Sequence, residues 1–232
     1  CLLRTNRYSE SIQAFQNAIQ NKKDFSEAYN NLGFAFKQLG DYTRSKENFL
    51  KAIQYKDNYF QAFNNLTALT LEENNLEDAS KFAKKSIQIN QKNFEAYNNL
   101  GLILKKKNDT KNSLINFHKA LEINPNYLPT LINLAKNYDG INDYKKAFDY
   151  IDKALKIEPE NINALSILIY LKLKTCDWND LNTLKDKLIN LCIDFKNKVM
   201  QPYYSLLLNE DIKFQKMISD KWSKNHLGLS RS

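Results

Sequence analysis

The feature that most restricts this chain is a period of 34 residues. AYNNLG begins at Ala28, AFNNLT at Ala62, AYNNLG at Ala96, TLINLA at Thr130 and ALSILI at Ala164. Five starts in one register without an insertion mark a repeat architecture. In such an architecture each unit buries its apolar face only by stacking on its neighbours.

Every unit reads as two amphipathic helices. In the first complete unit Tyr29, Leu32, Gly33 and Phe36 recur at helical spacing. Leu39-Gly40-Asp41 then breaks the pattern: Gly40 tolerates the positive φ that ends a helix, and Asp41 can cap the next one. Tyr42, Ser45, Phe49, Ala52 and Ile53 mark the second helix, and Asn74-Asn75, Asn108-Asp109 and Asn142-Asp143 occupy the same corner later. Pro125 and Pro159 punctuate the ends of two second helices. Small residues (Gly33, Gly101, Ala52, Ala120, Ala154) stand where helices must approach closely.

Composition narrows the function classes. The apolar fraction of 43% is that of a globular protein, and five glycines and four prolines leave little material for β-turns. The net charge of +8 comes from lysines spread along the chain, the densest run being Lys105-Lys106-Lys107, so no clustered patch for nucleic acid is expected. Cys1, Cys176 and Cys192 form no CxxC pair, which argues against a disulfide framework or zinc site and for a reducing, cytoplasmic compartment. No apolar run is long enough to span a membrane, and the first residues do not have the charged-then-apolar pattern of a signal leader. The chain opens inside a helical pattern and reads as a fragment of a longer protein. Catalytic residues, metal ligands and cofactor sites are expected to be absent from it: His118 and His226 lack a second ligand at metal spacing, Glu72-Glu73 point to different helix faces, and no phosphate loop or nucleophile elbow occurs.

The pattern resembles the tetratricopeptide repeat. Tyr97, Leu100, Gly101, Ala120 and Pro125 match that family's positions, as do Leu134, Tyr138, Ala147, Ala154 and Pro159; Thr67, Ser86 and Ile169 depart from it. The resemblance implies an all-α fold, a right-handed superhelical array of helix pairs whose first helices line the concave surface. The array is expected over residues 1–174, with a half repeat at 1–25 and units starting near 26, 60, 94, 128 and 162. A short helical junction segment follows at 175–232.

Paired asparagines precede the core leucine in three units: Asn30-Asn31, Asn64-Asn65 and Asn98-Asn99, with Asn133 continuing the second column. Core demands take the flanking positions, so at least one of each pair is expected to face the groove. An amide both donates and accepts, and a column of amides can hold the backbone of an extended protein or peptide segment.

The array's end differs. Asn161 to Lys174 is apolar around nearly its whole circumference, so packing on more than one side is expected. After the corner TCDWND, a helix is expected over Leu181 to Lys198, with Asp177 as a cap and Trp178 in the corner's usual tyrosine position. Cys176, Asp177, Trp178, Asp180, Pro202, Tyr203, Glu210, Asp211, Gln215 and Trp222 resemble, in order, the segment that joins repeats to the catalytic half in O-linked N-acetylglucosamine transferases of the SPINDLY type. That resemblance implies a parent glycosyltransferase using a UDP-sugar, its catalytic domain C-terminal to this chain. It makes Cys176, Asp177, Trp178, Pro202 and Trp222 packing residues at the junction. The alternative is a free-standing adaptor that assembles protein partners without chemistry.

Overall fold

The computed structural model describes residues 8–194, all of whose regular elements are α-helices. The first helices of the repeats are α2 (Ser26–Gln38), α4 (Phe60–Glu72), α6 (Phe94–Lys106), α8 (Leu128–Gly140) and α10 (Ile162–Lys174). Their second-helix partners are α3 (Tyr42–Tyr55), α5 (Leu76–Ile89), α7 (Thr110–Ile123), α9 (Tyr144–Ile157) and α11 (Leu181–Asp194), and α1 (Tyr8–Asn21) is a lone second helix. Each first helix pairs with the helix that follows it. The helices fall into two compact units, Cys1–Pro125 and Asn126–Ser232.

The corners repeat one local solution. Gly40, Asn74, Asn108, Asn142 and Cys176, each 34 residues apart, take positive φ values between 55° and 77°. Glycine has no steric objection to that conformation and asparagine tolerates it. The next residue caps the second helix: Asp41, Asn75, Asp109 and Asp143 accept the backbone N–H three residues on.

Within the first unit the close approaches are set by glycine. A Cβ at Gly33 would lie 2.8 Å from the Phe49 ring, and one at Gly101 would lie 2.6 Å from the Phe117 ring. Phe49 and Phe117 are fully buried as a result. Thr67 takes the same phase in α4 and turns its hydroxyl to the carbonyl of Phe63, so no polar atom is stranded there.

In the second unit α10 is buried over most of its circumference: Ile162, Leu171 and every residue from Ala164 to Ile169 are inside. Helix α11 covers one side, with Leu181 and Leu188 packed on Ile162, Leu165 and Ile169. The corner before it does not follow the others. By the 34-residue period α11 would start at Trp178, but it starts at Leu181. Asp177 therefore does not cap it; its carboxylate accepts from Lys172 Nζ at 2.6 Å and from the backbone N–H of Asn179 at 3.1 Å. Trp178, expected to pack at the junction, is 65% exposed. The reason is steric. Ile169 stands at the glycine phase and fills the space into which a second helix would press, so α11 lags by three residues and Leu188 takes the role of Phe49 and Phe117. Pro202 and Trp222 lie outside the described residues.

Candidate functional site

The first helices carry the asparagine pairs, and their two members have different surroundings. Asn30, Asn64 and Asn98 are 8%, 7% and 4% exposed, whereas Asn31, Asn65, Asn99 and Asn133 are only partly buried. The helical repeat explains the split. The core side of each first helix is taken by apolar residues at helical spacing, such as Tyr29, Leu32 and Phe36 in α2, and the first asparagine reaches the next repeat: Asn30 accepts from Asn65, and Asn64 pairs with Asn93.

Asn64 serves the scaffold. It forms a reciprocal amide pair with Asn93, donating to Asn93 Oδ1 at 3.1 Å and accepting from Asn93 Nδ2 at 3.0 Å. Ser86 Oγ lies 2.8 Å from Asn64 Oδ1 and 3.0 Å from the carbonyl oxygen of Phe60, and its single proton serves one of them at a time. Asn93 Nδ2 also reaches Ser86 Oγ at 2.9 Å. This buried trio fastens α4 to α5 and to the turn that opens α6. Sequence reasoning treated Ser86 only as a departure from the family pattern; the signal for the network was the joint appearance of Ser86 and Asn93 where the repeats on either side have Ala52 with Tyr59 and Ala120 with Tyr127.

The second column keeps unused capacity. Asn65 donates through Nδ2 to Asn30 Oδ1 at 2.8 Å, linking α4 to α2, and leaves its own carbonyl oxygen available. Asn99 Oδ1 receives only a long 3.5 Å contact from Asn98 Nδ2. Asn31 has no hydrogen bond among the described residues. In the second unit Asn133 holds the same repeat phase on α8 and is half-buried.

The lysines and Arg44 do other work. Arg44 lies over the Phe36 ring at 4.4 Å, Lys146 over Tyr138 at 5.0 Å, Lys51 over Tyr29 at 5.8 Å and Lys119 over Tyr97 at 5.7 Å. They join second helices to the aromatic residues of first helices by cation–π attraction. Among the described residues no group of three metal-ligating side chains comes together, and no helix is long and apolar enough to cross a membrane.

Models of the tetratricopeptide repeat match residues 2–40, 26–59, 94–127 and 128–161, together more than half of the chain. The chain belongs to the tetratricopeptide repeat family. Its helix pairs, corner caps and glycine-set approaches are that repeat's working parts. Solved tetratricopeptide structures are similar in fold. The chain is 17% identical to YrrB, described as having an unusual peptide-binding site, with a TM-score of 0.57 over 79% of this chain and 94% of that one. It is 18% identical to PilF of Pseudomonas aeruginosa, with a TM-score of 0.73 over 84% and 88%. It is 17% identical to a chain of the APC/C hetero-tetramer Cut9–Hcn1, with a TM-score of 0.79 over 91% of this chain and 41% of that one. No curated protein sequence matches it.

Proposed function

We propose that this tetratricopeptide scaffold binds extended protein segments along its first helices, gripping their backbone through the second asparagine column. One observation carries the reading: Asn31, Asn65 and Asn99 recur at one phase of α2, α4 and α6, half-buried, with donor or acceptor capacity left over. A half-buried amide gains more from a ligand hydrogen bond than a fully solvated one, because it has fewer waters to give up.

The test is a titration of fluorescently labelled, C-terminally amidated nonapeptides of Ser, Thr and Ala against the chain and against Asn31→Ala/Asn65→Ala/Asn99→Ala. Binding should weaken by at least about 10-fold, each lost hydrogen bond being worth roughly 1 kcal/mol. The urea midpoint should stay close to that of the parent chain. Equal affinity of the two proteins would sink the reading.

A finer reading makes this scaffold the substrate-selecting arm of a protein O-N-acetylglucosamine transferase using a UDP-sugar. The order of Cys176, Asp177, Trp178 and Asp180 with Pro202 and Trp222 favours it, together with the fit of an asparagine track to that family. Reading the gene past the codon for Ser232 decides between this and a free-standing adaptor: a sugar-nucleotide domain supports the transferase arm, and a stop codon there removes it.

A further inference from the structure

Helix α5 turns Ala79, Ala83 and Ser86 to the core. Lys81, Lys84 and Lys85 stand about one turn apart on the opposite side and are exposed. The 34-residue period sets lysines beside them on the second helices to either side in the first unit: Lys51 on α3 and Lys119 on α7 share the phase of Lys85. Among the described residues none of these five lysines is in an ion pair. Lys51 and Lys119 lie over the rings of Tyr29 and Tyr97, at 5.8 Å and 5.7 Å, and a ring leaves their positive charge in place.

The band is unbalanced in charge. Residues 47–54, 81–88 and 115–122, which share their phases, carry these five lysines against Glu47 and Glu122. Two large apolar side chains stand open to water in the same band: Leu50 is 41% exposed and Ile115 is 45% exposed. By phase Leu50 is level with Lys84, and Ile115 is level with Lys81. A single exposed ammonium gains little from a partner, but several in register make a positive band that draws in an acidic chain. The apolar side chains offer area that such a chain can bury. This face belongs to second helices, whereas the asparagine column lies on first helices.

We propose that the outer face of α3, α5 and α7 docks an acidic segment of a partner protein that also carries apolar residues. Its carboxylates meet Lys81, Lys84 and Lys85, and its apolar side chains meet Leu50 and Ile115. This surface goes beyond the peptide-holding reading and stands without it.

The test is an anisotropy titration of the full chain with three labelled, amidated dodecapeptides. One is built of Glu and Leu, one has every Glu replaced by Gln, and one has every Leu replaced by Ser. The Glu/Leu peptide should bind about 10-fold more tightly than either of the others, and its affinity should fall as salt is raised. Lys81→Glu/Lys84→Glu/Lys85→Glu should remove the preference for Glu over Gln, and Lys81→Arg/Lys84→Arg/Lys85→Arg should keep it. Leu50→Ser/Ile115→Ser should remove the preference for Leu over Ser. Lys23→Glu/Lys92→Glu/Lys107→Glu, three exposed cations off this face with the same total charge change, should keep both preferences. Asn31→Ala/Asn65→Ala/Asn99→Ala should keep them as well. Equal binding of the Glu/Leu and Gln/Leu peptides overturns the proposal. So does an equal loss in the Lys23/Lys92/Lys107 variant, which would mark a response to net charge alone, or a loss in the asparagine variant, which would place the peptide on the first helices. Binding of phosphatidylserine-containing vesicles without binding of the Glu/Leu peptide overturns it in favour of a lipid surface. None of these outcomes removes the peptide-holding reading, whose own test uses uncharged peptides.

Discussion

At the scale of the residue, two serines at one repeat phase have opposite fates. Ser113 Oγ donates to the carbonyl of Gly101 at 2.8 Å, whereas Ser45 Oγ is buried with no hydrogen-bond partner among the described residues. An orphaned buried hydroxyl carries the cost of desolvation and no return. The same phase holds Ala79 and Ala147, both fully buried, so a methyl group fits there. Ser45→Ala should therefore stabilise the chain by about 1 kcal/mol, and Ser113→Ala should destabilise it by a similar amount. Urea unfolding of the two variants beside the parent checks the sign, and a loss of stability in Ser45→Ala would contradict the account.

At the scale of the element, the helix caps make stability depend on acid. Hydrogen bonds from Arg44, first to its backbone N–H and then to its side chain, hold the Asp41 carboxyl below the ordinary aspartate range. Asn112 does the same for Asp109, and Lys146 for Asp143, through side chain and backbone N–H. A carboxyl depressed in the folded state contributes stability that is complete above its unfolded pKa and is lost as pH falls through the folded one. Helices α3, α7 and α9 should lose cap protection below the ordinary aspartate pKa, while α5, capped by Asn75, has no such titration of its own. Asp41→Asn/Asp109→Asn/Asp143→Asn should flatten the acid limb of the stability profile, followed by circular dichroism in urea from neutral pH down. These caps were legible from the chain alone because Gly40-Asp41 and its kin are local signals. The start of α11 at Leu181 was legible as well; that Asp177 would not cap it was not, since this depends on whether Ile169 leaves room for a second helix at the usual place, and that is a matter of volume between elements. The asparagine columns were legible as positions, but which member is buried depends on neighbours 29 or 35 residues away in sequence.

At the scale of the whole molecule, a stack of repeats is most protected where each helix has neighbours on both sides. Helix α1 buries only Ser11, whereas α6 buries Ala96, Asn98, Leu100, Gly101 and Ile103. Amide hydrogen exchange should accordingly be fastest in α1 and slow markedly by α4 and α6, since local opening tracks the number of buried apolar contacts. Uniform protection from α1 to α6 would argue against a stack that frays from its end. The trio of Asn64, Ser86 and Asn93 has a consequence of another kind, for descent. At the two later-named phases the first and third repeats carry Ala52 with Tyr59 and Ala120 with Tyr127, so the chain already holds two versions of one joint. Replacing Ser86 or Asn93 alone strands the other members of the network, while changing both at once recreates the version used next door. Where the first helix keeps an Asn at the phase of Asn64, related chains should thus inherit these positions as a pair, Ser with Asn or Ala with Tyr; the mixed Ala154 with Asn161 of the fourth repeat goes with Ile132 at that phase, which has no amide to strand.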